Sequence, residues 1–194
     1  MKSLVLVFGL LSVVFGARVD AGITLSIDGV ENDIVVVLPA NHDATKRYPA
    51  IFYYHGMSGI PNTRLINRTI ETKGWILVGM AYQQRGAYKI DKASIAKELQ
   101  VLKKTMSQLD KYGLNRNRCY VGGFSKGGIL VDTLLQADPN LAGGIIMGGG
   151  HVATYNPKLK KYGRKKSIFI GVGREDGNYI FSLRSLFFHR KLGA

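Results

Sequence analysis

Residues Gly123, Phe124, Ser125, Lys126, Gly127 and Gly128 set one serine between glycines in the frame G-x-S-x-G-G. A serine hydroxyl becomes a useful nucleophile where the backbone turns so sharply that Oγ stands out at the end of a sheet, and residues without a side chain suit the flanks of such a turn. The chemistry such a serine serves is nucleophilic attack. In a chain with 24 glycines the frame alone carries little weight. Its flanks supply the rest: residues 119–122 end an apolar run of strand type, and Ile129, Leu130, Val131, Leu134 and Leu135 follow at helical spacing. The competing explanation is a purely structural glycine turn between a strand and a helix.

The other residues with chemical capacity also follow apolar runs. His55 opens HGMSG after the run 50–54, His151 follows the apolar stretch 141–147, and Glu175 and Asp176 lie in GREDG after the run 167–172. The elements that must hold them alternate. Residues 23–27 and 33–38 predict an antiparallel edge hairpin around Asp28-Gly29, and 50–54 and 75–82 predict strands separated by a helix from Asn62 or Thr63 to Gly74. Asp91 predicts the N-cap of a long helix with Ile95, Leu99, Leu102, Met106 and Leu109 on one face, ending at Gly113. Strands at 119–122, 141–147 and 167–172 complete the series, with helices after Ser125 and after Asp176. Near-continuous apolar strands alternating with helices imply a mostly parallel sheet covered on both faces, an α/β fold whose working residues lie at the strand C-termini.

The 194 residues, 46% of them apolar, suffice for one domain with a full core. Lys2, an apolar run over 4–15 too short to span a bilayer, and the small residues after it read as a secretory signal, cleaved after Gly16 or after Ala21. The alternative is a buried N-terminal strand or helix. Taking 1–21 as signal leaves 22–194 as the domain, in a secreted or periplasmic protein with no further membrane span. The single cysteine, Cys119, cannot close an internal disulfide and reads as a small buried hydrophobe.

The formal charge of +14 suggests a basic face for anionic surfaces or polymers, or a solubilising coat. Its densest run, Lys158, Lys160, Lys161, Arg164, Lys165 and Lys166, reads as solvated. No zinc spacing, recognition helix or aromatic-basic RNA motif accompanies the charge, so no nucleic-acid partner is expected.

HGMSG, GFSKGG and GREDG, in this order and at these separations, resemble the α/β-hydrolase family, especially small secreted esterases similar to dienelactone hydrolases and polyhydroxyalkanoate depolymerases. The resemblance runs from about Ile34 to the C-terminus. It implies Ser125 as nucleophile and two backbone N–H donors for the oxyanion, from Lys126 and from Met57, with Gly56 the alternative to Met57. It also implies Asp176, with Glu175 its neighbouring alternative, as the acid that orients a histidine. The competing reading of Asp176-Gly177 is an ordinary turn that caps the next helix.

In that family the histidine follows one further helix and strand, whereas this sequence closes at FFHRKLGA; the expectation is a domain incomplete at its C-terminus, without the last strand. His151 is then the best local candidate for the base. His55 reads as a loop-orienting residue, and His42 and His189 as structural or exposed. The function implied is a secreted serine esterase acting on a small or polymeric ester, needing no cofactor and no metal. The alternatives are an inactive hydrolase-fold fragment or binding module, and a serine peptidase.

Overall fold

A computed structural model describes residues 22–30, 32–70, 73–83, 91–151, 162–163 and 165–194. The signal reading over 1–21 and most of the basic run at 158–166 lie outside the described residues. The strands are β1 (Ile23–Leu25), β2 (Ile34–Val37), β3 (Tyr48–Tyr54), β4 (Ile76–Met80), β5 (Leu114–Phe124), β6 (Gly143–Met147) and β7 (Ser167–Gly171). The helices are α1 (Arg64–Ile70), α2 (Lys92–Leu109), α3 (Lys126–Ala137) and α4 (Tyr179–Leu192), with a short 3-10 turn at Asp110–Tyr112.

The seven strands of the described residues form one sheet in the order β1-β2-β4-β3-β5-β6-β7. The β1-β2 hairpin joins β4 antiparallel, and β4, β3, β5, β6 and β7 are mutually parallel. This is the α/β architecture that alternation in the sequence implies. The order reverses at β3, so the chain winds outward from there and the loops after β3, β5, β6 and β7 gather at one edge.

Burial follows the strand period of two. Ala50, Phe52 and Tyr54 of β3 face a core with Ile95, Leu102, Leu109, Leu130 and Leu134 of α2 and α3. Ile51 and Tyr53 face the opposite side with Ile66 of α1 and Leu77. Each face therefore has its own apolar layer, and every residue of β3 is buried. Helix α2 starts where expected: the Asp91 carboxylate accepts the Ser94 N–H at 2.8 Å, a cap worth about 1 kcal/mol.

Two expectations need correction. The strand before Ser125 is far longer than 119–122, spanning Leu114–Phe124. Lys166 is 2% exposed rather than solvated; its ammonium donates to the carbonyls of Asp138 at 2.9 Å and Leu141 at 2.7 Å, placing a cation at the C-terminal end of α3. The hydropathy of a lysine-rich run hides this because the acceptors are backbone carbonyls.

Candidate active site

Ser125 lies between β5 and α3 at φ 52° and ψ −114°. That region costs a side-chain-bearing residue about 1–3 kcal/mol and persists only where the surroundings over-determine it. Here the Ser125 N–H donates to the Met147 carbonyl at 2.8 Å, and its own carbonyl accepts the Ile129 N–H at 3.1 Å, opening α3. A Cβ on Gly123 would lie 2.3 Å from the Gly127 carbonyl carbon, and one on Gly127 would lie 2.1 Å from the Tyr54 oxygen. Both glycines are thus steric requirements of the turn, which presses against the end of β3.

The loop after β3 adjoins this turn, since a Cβ on Gly56 would lie 3.3 Å from the Phe124 ring. Gly56 through Gly59 make a turn closed by the Gly59 N–H on the Gly56 carbonyl at 3.2 Å, with Ser58 at φ 62°. His55 Nδ1 stands 2.7 Å from the same carbonyl. A carbonyl only accepts, so Nδ1 carries the hydrogen. Burial lowers the His55 pKa and the nearby Lys126 charge lowers it further, outweighing the bond to Gly56. In a planar trans peptide, holding the Gly56 carbonyl on one side turns the Met57 N–H to the other. His55 therefore orients the loop, as its sequence position implies.

Asp176 follows β7. Its Oδ1 accepts the Asn178 N–H at 2.8 Å and its carbonyl accepts the Tyr179 N–H at 2.9 Å, so it forms the turn that leads into α4, whose N-cap is Asn178 without a side-chain capping bond. Its Oδ2 faces the turn after β6: a Cβ on Gly148 would lie 3.2 Å from that oxygen and 3.2 Å from the Phe124 ring. Gly148 thus separates Asp176 from Phe124, the residue before Ser125. Glu175 is exposed.

His151 is the residue the structure seats elsewhere. It follows β6 at the same sheet edge, but its Nδ1 lies 3.2 Å from Asp132 Oδ2 and its ring stacks on Phe188 of α4 at 4.1 Å. Asp132 sits seven residues into α3 from Ser125, about 10 Å along a helix axis. No hydrogen bond among the described residues joins His151 to Ser125 or to Asp176. His189, expected to be structural or exposed, is 2% exposed and meets Asp132 Oδ1 at 2.9 Å, while Ser185 donates to the same oxygen at 2.5 Å. Burial alone raises the Asp132 pKa, but hydrogen bonds from His151, His189 and Ser185 outweigh it and hold the carboxyl below its usual value. His42 bonds the Tyr112 carbonyl at 2.9 Å through Nε2, in the loop before β3. Sequence reasoning passed over Asp132, although one carboxylate inside the apolar stretch ILVDTLL signals a buried partner.

Lys126, 6% exposed, opens α3 with its ammonium 4.1 Å above the Tyr82 ring centre. Burial lowers its pKa, against the opposing charge of Glu98. Among the described residues, no three His, Cys, Asp or Glu side chains gather to hold a metal ion, and no helix is long and apolar enough to cross a membrane.

Ser125 thus stands on a strained turn between a parallel strand and a helix, with Asp176 in the loop after β7. The Phospholipase/Carboxylesterase family model matches residues 63–186, more than half of the chain. The chain belongs to that family. Phospholipase/Carboxylesterase members are α/β-hydrolases, and the resemblance read from HGMSG, GFSKGG and GREDG holds at this level. Solved structures share the fold. A phospholipase/carboxylesterase from Dyadobacter fermentans is 14% identical with a TM-score of 0.64, over 88% of this chain and 87% of that one. A carboxylesterase from Mesorhizobium loti is 21% identical with a TM-score of 0.63, over 89% and 86%. A ferulic acid esterase from the anaerobic fungus Anaeromyces mucronatus is 16% identical with a TM-score of 0.65, over 88% and 78%. No curated protein matches the chain.

Proposed function

We propose that this carboxylesterase-family member hydrolyses carboxylic esters through an acyl intermediate on Ser125 and works outside the cytoplasm. The observation that carries the mechanism is the strained backbone of Ser125 between Gly123 and Gly127. Ser125 Oγ attacks the ester carbonyl, its proton passes to an imidazole, and the alkoxide leaves with a proton. Water then repeats the sequence on the acyl carbon. The N–H groups of Lys126 and Met57 are the proposed oxyanion donors, and Asp176 the carboxylate that orients the imidazole. His151 serves as that imidazole only by leaving Asp132. The export reading rests on residues 1–21 and is tested by N-terminal sequencing of protein recovered outside the cytoplasm.

Exposed Met57 and Phe124 beside the nucleophile favour an apolar acyl or aryl group. A structural neighbour was solved with ferulic acid bound, which makes aryl esters such as methyl ferulate reasonable first substrates beside p-nitrophenyl acetate. The +14 charge supports contact with an anionic polymer or surface, which would weaken steeply with added salt. The decisive experiment treats the protein with a fluorophosphonate probe: labelling at Ser125, lost in Ser125→Ala together with ester hydrolysis, is the expected result. One observation favours a second reading, a hydrolase fold used for binding: Asp132 and Phe188 occupy His151, and no described histidine bonds Asp176. An unlabelled serine with retained ester binding would establish it.

A further inference from the structure

Beneath the two proposed oxyanion donors lies a cluster that the reaction scheme leaves unused. Tyr82 follows β4, and its hydroxyl donates to the carbonyl of His55, the residue that opens the Met57 turn. The rings of Tyr82 and His55 meet edge to face, 4.8 Å apart at 87°. The Lys126 ammonium lies over the Tyr82 ring at 4.1 Å. Glu98 of α2, 1% exposed, accepts the Gln83 N–H at 3.0 Å and so fixes the backbone beside Tyr82.

These contacts form one continuous path. It starts at the Lys126 side chain, crosses the Tyr82 ring to its hydroxyl, and reaches the His55 carbonyl and the Gly56–Met57 peptide. Lys126 contributes its own N–H as one donor, and Met57 contributes the other. We propose that Tyr82 is a positioning residue for ester hydrolysis, clamped by the Lys126 side chain, and that it ties the two halves of the oxyanion hole together.

The tie rests on the serine-hydrolase reading above and extends it to residues outside the three motifs. Two donors stabilise an oxyanion only if both reach the same point in space, and small displacements of positioning groups have large kinetic costs. The β3 loop and the β5–α3 turn are separate stretches of chain that meet where Gly127 presses on the end of β3, and Tyr82 adds a side-chain link between them outside the sheet. Tyr82 supplies a hydroxyl to one and a ring face to the other. Burial, followed by the charge of Glu98, raises the Tyr82 pKa, which keeps the hydroxyl a donor at all working pH values.

The test uses the full chain with Tyr82→Phe, which removes the hydroxyl and keeps the ring, and Lys126→Met, which removes the charge and keeps the backbone donor. With p-nitrophenyl acetate each should lower kcat about 10- to 100-fold at nearly unchanged KM. The double variant should lose little more than either single one, because both break the same path. Hydrogen exchange at residues 55–59 needs no turnover and reads the loop itself; Tyr82→Phe should speed it about tenfold or more at unchanged overall stability. Unchanged exchange overturns the tie. Faster exchange with kcat within twofold of wild type also overturns it, since the loop would then be held for stability alone. A wild-type chain that neither hydrolyses esters nor labels at Ser125 fails the hydrolase reading instead and removes the catalytic meaning of the tie, whatever the exchange shows.

Discussion

Ser125 and His151 both follow adjacent parallel strands, β5 and β6, at the same edge of the sheet, yet the fold uses them oppositely. Ser125 is pushed out: glycines on both sides allow the backbone into a positive φ, and α3 departs directly from it. His151 is drawn in: its N–H donates to Ser185 Oγ at 2.7 Å, its ring lies on Phe188, and its Nδ1 meets the buried Asp132. Position after a strand thus decides which edge a residue reaches. The partners offered by the neighbouring helices decide where its side chain goes.

The contrast is broken most severely at Ser125. Ser125→Ala should lower ester hydrolysis by at least about 10,000-fold with little change in thermal midpoint, measured with p-nitrophenyl acetate. A smaller loss would mean that the strained turn has only a structural role. Gly127→Ala puts a Cβ 2.1 Å from the Tyr54 oxygen, and relieving it must move the turn away from β3. We expect about 3 kcal/mol of lost stability by denaturant unfolding, with activity lost in parallel.

On the inward side, Asp132→Ala removes the acceptor shared by His151, His189 and Ser185 and should cost about 3–5 kcal/mol, as breaking a buried charged network does. His151→Ala removes one of those bonds and the stack on Phe188, and should cost about 1–3 kcal/mol. Its activity sharpens the comparison. Hydrolysis within a few fold of wild type assigns the proton to another acceptor, whereas complete loss means that the ring leaves Asp132 during the reaction.

The smallest effect is with pH. The folded-state pKa of Asp132 lies below its usual 3.8, so its contribution to stability is complete above that value and fades as pH falls through the lowered one. Wild type should therefore lose stability in that acid window more steeply than Asp132→Asn, followed by unfolding midpoints from pH 5 to pH 2.5. Parallel curves would show that the network does not hold the carboxylate charged.

The strand period, the helix spacing and the glycine frame are local, and the sequence by itself determined what depends on them. β3 is buried throughout because every one of its residues suits a sheet with a layer on each face, and α2 begins at Asp91 because the cap is four residues of local chemistry. The turn at Ser125 was legible in part for the same reason, since Gly123 meets Gly127 within five residues, whereas the need for Gly127 is set by the Tyr54 carbonyl at the end of β3. Tertiary structure alone decided the rest. Lys166 read as solvated and His189 as structural or exposed; one is buried against carbonyls of the α3–β6 connection and the other against Asp132, partners 25 and 57 residues away. The place of His151 after a strand left its partner open, and the packing of α4 on α3 sets it on Asp132 and Phe188. Such choices are written in desolvation and hydrogen-bond partners, which a one-dimensional pattern does not carry, because the energy of a buried polar group depends on what faces it and not on its neighbours in sequence.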